Sequence, residues 1–139
     1  RKIDVMRRAI AFHRPDRSDP LGVLAAIGGF EIGAIAGLIL GSAAMRSAVV
    51  VDGFIAGAGA LVATAIAPAA GDFIFYAHHS AERGHAAMLQ FLNADPLLDL
   101  GMRLGEGTGA AIAMTLIEAS LRLYREMATF DEAGVADAI

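Results

Sequence analysis

One carboxylate between two glycines is the residue best placed to do chemistry in this sequence. Glu106 lies in residues 104–110 (LGEGTGA), just before a long segment with the apolar period of a helix. The flanking glycines permit turns that side chains forbid and let a ligand approach the backbone closely, and Thr108 can cap the helix. Such an acid can complement the helix dipole in solvent or act as a base toward a bound polar ring. The residue pattern alone leaves both interpretations open.

Polar residues also follow two short apolar segments. Residues 48–51 are continuously apolar and run into Asp52 and Gly53, while the aromatic-rich residues 72–77 run into His78 and Ser80. A continuous apolar run is typical of a strand buried on both faces, and open α/β sheets bind ligands outside the carboxyl ends of their strands. We expect the two strand ends to form the rim of one cleft. Asp52 could instead bond its own backbone in a turn.

The nearby histidines His78, His79 and His85 do not form a familiar metal-binding pattern. Adjacent histidines at a strand end point to opposite sides, and no acid or cysteine completes a known ligand spacing. The sequence therefore predicts no metal, and hydrogen-bonded or exposed histidines instead. Ser80 is better placed for an anion, because a hydroxyl and free amides at a helix start suit a phosphate.

Apolar periodicity and the breaking residues predict a helix-rich α/β chain with about two short strands. The last helix is expected to bury an apolar face that includes Met114, Leu121 and Tyr124 and so to hold Glu106 in place. Two short strands cannot make a stable sheet by themselves, so we expect a piece of a larger sheet. The predicted helices span residues 1–12, 21–27, 30–45, 54–67, 82–91 and 108–127.

Composition narrows the class of protein. The 139 residues suffice for one domain, and the absence of cysteine excludes disulfides and thiolate metal sites and suits the cytoplasm. The net charge is −4. Six of the 11 basic residues lie within residues 1–17, where they match one solvated helix face without interleaved aromatics. We therefore expect no nucleic-acid partner.

The high apolar content makes a membrane protein an alternative. Hydrophobic residues make up 56% of the chain, and residues 21–44 and 54–77 each carry a single charge over a length that could span a bilayer. Gly28, Gly29 and Pro68 interrupt these segments, and an ionised acid within a span is costly. We therefore favour no membrane insertion. The glycines that recur from Gly29 to Gly41 instead predict close helix packing and a homo-oligomer, expected to be a dimer.

Four motifs, in order along the chain, resemble the nicotinate-nucleotide:dimethylbenzimidazole phosphoribosyltransferase family. The resemblance extends from about residue 19 to about residue 130 and matches the C-terminal portion of longer proteins. It implies a three-layer fold with a parallel sheet. Because the chain begins at Arg1 and not at a methionine, we expect a processed or truncated product. The motifs are residues 28–32 (GGFEI), residues 52–54 (DGF), His78 with residues 80–82 (SAE), and residues 102–110 (MRLGEGTGA).

The resemblance implies a domain division and a reaction. Residues 1–18 form an N-terminal helix and connection, residues 19–127 form the C-terminal part of the catalytic domain, and residues 128–139 form an acidic tail. The reaction is a pentosyltransferase reaction that moves phosphoribose from nicotinate mononucleotide to dimethylbenzimidazole. Its products are α-ribazole phosphate and nicotinate, used in building the lower ligand of cobalamin. No cofactor is implied, and the partners are these small-molecule substrates.

The family motif also implies residue roles. Glu106 is the general base that accepts the benzimidazole proton, and Ser80 is a phosphate contact. The remaining substrate-binding positions are Leu104, Gly105 and Gly107 beside the base, and Asp52 with Gly53 at the rim. Because the family has further site residues in the portion not matched here, we expect this chain to be inactive alone. The alternatives are a non-catalytic helical interaction module and a small membrane protein.

Overall fold

The computed structural model describes residues 1–135, which are mostly helical. The strands lie between α3 and α5, and a connection over residues 93–107 leads into the last helix. Along the chain the elements are α1 (Lys2–His13), α2 (Pro20–Ile27), α3 (Phe30–Ala44), β1 (Val49–Val51), α4 (Gly53–Ile66), a 3-10 helix (Pro68–Phe73), β2 (Ile74–Tyr76), α5 (His85–Leu92) and α6 (Thr108–Glu126).

The sequence signals explain where several helices begin and end. Asp19 caps α2 by accepting a hydrogen bond from the Gly22 N–H at 2.9 Å, and Pro20 occupies the first helical position, where its missing N–H costs nothing. Arg14 ends α1 in the left-handed conformation, with φ of 43°. α5 begins at His85 and not at Glu82, because the His85 N–H bonds the Glu82 carbonyl and closes a tight turn that precedes the helix.

The described residues form a parallel pair of strands, as the sequence predicts. Val49 pairs with Ile74, Val50 with Phe75 and Val51 with Tyr76. A further parallel bridge joins His78 to Leu98 beyond β2. β2 starts at Ile74, two residues later than predicted, because Pro68 begins a 3-10 helix that continues through Phe73. Since the strands run parallel, Asp52 and His78 emerge at the same edge of the sheet.

The core lies where α3 packs on α4 and β1. Ile39 is 1% exposed, and Ala60 and Ala63 of α4 are fully buried. These small side chains let the two helix backbones approach closely. A side chain on Gly59 would collide with Ile35 and would lie 3.3 Å from the Ala36 nitrogen. None of the helices in residues 1–135 is both long and apolar enough to span a membrane.

The apolar face predicted for α6 is not buried, so that expectation was wrong. Met114 is 52% exposed, Leu121 49% and Tyr124 88%. Among the described residues of this helix, Gly109 and Ala113 are the buried ones. The physical reason is geometric: only the first turns of α6 reach the ends of the strands, and the rest of the helix extends past the packed elements.

The start of the acidic tail is folded back on itself. The Thr129 N–H donates to the Glu132 carboxylate at 2.8 Å, and the Glu132 N–H donates to the Thr129 hydroxyl at 3.2 Å. This reciprocal capping-box pair organises a short turn. The tail predicted over residues 128–139 continues into residues 136–139, which lie outside the described residues.

Two glycines of α4 provide a matched test of the helix packing. We expect Gly59→Ala to have a free energy of unfolding lower than that of Gly57→Ala by about 1–3 kcal/mol, the usual range for overpacking. Both variants gain helix propensity. The new methyl at residue 59, however, meets the branched Ile35 side chain and the Ala36 backbone nitrogen. At residue 57 it meets the sulfur of Met88, which is near the end of an unbranched, flexible side chain. Urea denaturation measures the difference, and equal stabilities would contradict the packing.

Candidate active site

The loop that carries Glu106 has an unusual backbone. Gly105, Glu106 and Gly107 all have positive φ, at 82°, 58° and 77°. Glycine adopts this region freely, whereas a glutamate adopts it at a cost in conformational energy. The Thr108 hydroxyl donates to the Gly105 carbonyl at 2.9 Å and closes the loop. Thr108 therefore does not cap α6 as predicted, and Gly107 occupies the N-cap position.

A cleft of about 640 Å³ lies between this loop and the ends of the strands. Most of the sequence-predicted residues meet there, which fits the expectation of one shared rim. Leu104 is 75% exposed and is not among the cleft-lining residues, so its role stays a prediction. The lining consists of Asp52, Gly53, Phe54, Ile55, Ala56, His78, Ser80, Glu82, Arg103, Gly105, Glu106 and Gly107.

Asp52 and His78 face each other at the base of the cleft. The Asp52 Oδ1 lies 2.9 Å from the His78 Nε2, with side-chain exposures of 15% and 7%. The angles are not those of a directed hydrogen bond, and the buried Asp52 Oδ1 and His78 Nδ1 have no hydrogen-bond partner among the described residues. Asp52 stands at the N-cap position of α4 but does not bond its amides. Asp52 therefore contacts His78 and does not bond its own backbone, which was the alternative interpretation of this residue.

Ser80 is buried and already has two hydrogen bonds. Its N–H donates to the His85 Nδ1 at 2.9 Å, and its hydroxyl oxygen accepts from the Glu82 N–H at 3.3 Å. The backbone amide predicted to be free for a phosphate is therefore occupied. The hydroxyl proton still has no assigned acceptor in the described structure. Because α5 starts only at His85, Ser80 does not stand at a helix start as expected.

The helix start that reaches the cleft belongs to α4. Gly53, Phe54 and Ile55 form its first turn and line the cleft. Unpaired amides at a helix start favour anions. Sequence reasoning placed Asp52 and Gly53 at the rim but did not assign an anion to this helix. Arg103 also lines the cleft and was not predicted as a site residue. Its position three residues before Glu106 was the signal in the sequence that could have indicated a positive charge at the site.

The three histidines have separate environments. His85 is 1% exposed, and its Nδ1 accepts a hydrogen bond, so its proton is on Nε2. Burial lowers the pKa of His85 below its ordinary value, and nearby His78 and His79 lower it further, while Asp52 opposes the shift. The His79 Nδ1 lies 3.5 Å from the Asp99 Oδ2 at the surface. Within the described ranges, no group of three His, Cys, Asp or Glu residues is arranged to hold a metal.

A family model described as phosphoribosyltransferase matches residues 1–135, nearly the whole chain. The parallel strands with a cleft at their carboxyl ends agree with this class of protein. The chain therefore belongs to this phosphoribosyltransferase family.

The named relatives are more specific. The nicotinate-nucleotide–dimethylbenzimidazole phosphoribosyltransferase of Syntrophobacter fumaroxidans is 56% identical over 99% of this chain, and that of Geotalea uraniireducens is 57% identical over 98%. This chain spans 39% of the length of each. Among solved structures, the enzyme of the same name from Thermus thermophilus superposes with a TM-score of 0.86 at 46% identity, covering 95% of this chain and 39% of that one. The helix-rich part of an α/β fold predicted from sequence is confirmed by this match.

The buried histidine predicts a pH-dependent stability. Folding lowers the pKa of His85. Once the pH falls to the ordinary histidine pKa of about 6.5, the unfolded chain therefore binds more protons than the folded chain. The stability that neutral His85 contributes is present above that value and is lost as the pH falls through the lowered pKa. Thermal unfolding between pH 8 and pH 5 should show this decline.

The variant His85→Asn should flatten the decline, since its carboxamide oxygen can accept from Ser80 without titrating. His13→Asn, at an exposed histidine outside the site, is the control and should leave the decline as it is. An unchanged slope in His85→Asn would show that His85 does not cause it.

Proposed function

We propose that the protein containing this chain transfers phosphoribose from nicotinate mononucleotide to dimethylbenzimidazole, giving α-ribazole phosphate and nicotinate. The observation that carries the proposal is the Glu106 carboxylate beside a cleft at the strand ends, in a chain of this family. The names of the relatives support the choice of substrates.

The chemistry requires a base at the position of Glu106. The bond between the anomeric carbon and the nicotinate nitrogen breaks, and nicotinate leaves with the electron pair. A benzimidazole nitrogen attacks the same carbon from the opposite face, which inverts its configuration. The other ring nitrogen then gives up its proton, and the Glu106 carboxylate accepts it. Positioned general bases of this kind contribute about 10²–10⁴-fold to the rate.

The remaining cleft residues suit a phosphorylated sugar. The first turn of α4, from Gly53 to Ile55, offers backbone amides to an anion, and the Ser80 hydroxyl has a proton to donate. Arg103 adds a positive charge to the same cleft. We assign Asp52, Gly105 and Gly107 to the walls that hold the nucleotide, and we keep Leu104 as a neighbour of the base. No metal or cofactor is part of this proposal.

The proposed activity belongs to a longer chain. This chain spans 39% of its relatives, and its Glu106 loop is exposed on the outer side. We infer that residues 19–127 are the C-terminal part of a catalytic domain, preceded by the helix and connection of residues 1–18. A chain limited to these 139 residues would therefore bind substrates poorly and turn over little. A cytoplasmic location, which rests on the cysteine-free composition, is also a proposal, as is the lack of nucleic-acid binding.

Replacing the proposed base tests the function. In a protein of the relatives' full length, we expect Glu106→Gln to reduce kcat by about 10²–10⁴-fold, because the amide cannot accept the proton. The Glu106 side chain is exposed in this chain, so we expect the substitution to change the melting temperature little. Conversion of nicotinate mononucleotide and dimethylbenzimidazole to α-ribazole phosphate is the measurement.

Glu126→Gln, at the exposed last residue of α6, is the matched control and should retain full activity. Wild-type turnover in Glu106→Gln would rule out the proposed base.

We also propose that α3 mediates homodimer formation. Phe30 is fully exposed, Leu38 is 69% exposed, and Met45 is 80% exposed. A side chain added at Gly37 or Gly41 would meet nothing within 4 Å in the described structure. An apolar face with an open, glycine-lined centre can accept a second copy at close range.

A charge on this face should prevent the association. We expect Leu38→Glu to convert a dimer to a monomer in sedimentation velocity experiments, because dimer formation would bury the new carboxylate. Leu123→Glu, at a 62% exposed position of α6, is the matched control and should leave the dimer intact. Dissociation by Leu123→Glu alone would place the interface on α6 instead.

A further inference from the structure

The Asp52–His78 pair joins two elements that the sequence keeps apart. Asp52 follows β1, and His78 follows β2, with α4 and the 3-10 helix between them. Their side chains nevertheless meet at 2.9 Å in a largely buried position. The pair therefore forms a small, largely buried surface at the carboxyl edge of the sheet.

The first turn of α6 rests on that surface. A Cβ atom on Gly109 would collide with the His78 ring and with the Asp52 carboxylate at the same time. The glycine thus lies in direct contact with both members of the pair. One turn later Ala113 is fully buried, whereas most of the rest of α6, in the part of the chain described here, is exposed. The helix is consequently held in place near its N-terminal end.

The Glu106 loop has few other supports. Its hydrogen bonds close on itself and on α6, from Thr108 to Gly105 and from Ala111 to Gly107. Side chains added at Gly105 or Gly107 would meet nothing among the described residues. Before the loop, the Met102 carbonyl accepts a hydrogen bond from the Ala81 N–H, which links this part of the chain to the segment that follows β2. The position of the carboxylate therefore depends on where Gly109 is held.

We propose that Asp52 and His78 are positioning residues that seat the first turn of α6 and thereby fix the Glu106 carboxylate over the cleft. The catalytic part of this inference rests on the proposed function of Glu106. Neither residue needs to exchange a proton with the substrate in this role. Both act through Gly109, three residues beyond the base.

Hydrogen exchange tests the seating without any substrate. In the full-length protein, we expect His78→Gln and Asp52→Asn to accelerate amide exchange over residues 105–111 by about tenfold, a local opening that leaves the rest of the protein protected. Asp52→Asn is nearly isosteric, and it provides the answer if His78→Gln does not fold. Unchanged exchange over residues 105–111 in the folded variants would overturn the proposal.

The chain supplies a matched control pair. His79 and Asp99 also form a histidine–aspartate contact, at 3.5 Å, but their side chains are 36% and 72% exposed. His79→Gln and Asp99→Asn should leave the exchange of residues 105–111 unchanged. Acceleration of similar size in these controls would show a general loosening and would also overturn the proposal.

A double-mutant cycle separates positioning from direct action on the substrate. We expect His78→Gln alone to lower kcat by about tenfold with little change in KM, and to have little further effect in a Glu106→Gln background, because the group it positions is gone. A loss that persists at full size in that background would show that His78 acts elsewhere. If Glu106→Gln itself retains full activity, the proposed base fails, and the exchange experiment still decides whether the pair seats α6.

Discussion

Parallel pairing of β1 with β2 is the constraint on which the site depends. Because both strands run in the same direction, the residues that follow them emerge at one edge of the sheet. Val51 pairs with Tyr76, and the side chains of Asp52 and His78 then meet one and two residues beyond that register. The contact that supports α6, and the cleft beside it, both exist because of this geometry.

The strands can be so short because small residues let the helices pack tightly around them. Ala60 and Ala63 of α4 are fully buried, and Gly59 allows α3 to contact the backbone of α4 without an intervening side chain. Close packing of small side chains gives many dispersion contacts over a small area.

Adjacent histidines in the sequence take different roles because the backbone sends them into different surroundings. His78 points to Asp52 in the interior, whereas His79 reaches Asp99 at the surface. His85, at the start of the next helix, accepts a hydrogen bond from the Ser80 N–H, and burial lowers its pKa. His78, Ser80 and His85 are thus buried beside the cleft, while the Glu106 loop lies on its exposed side.

The local patterns of the sequence were sufficient to predict most elements and the candidate site. A continuous apolar run indicated β1, an aromatic-rich segment indicated β2, and the glycines around Glu106 indicated a tight loop. These signals arise from backbone preferences that act over a few residues. Tertiary structure decided the rest. The amide of Ser80 is bonded to His85, the apolar face of α6 remains exposed, and Gly109 lies against Asp52 and His78. Each of these depends on which distant segments meet, and no period or motif in one stretch of chain contains that information.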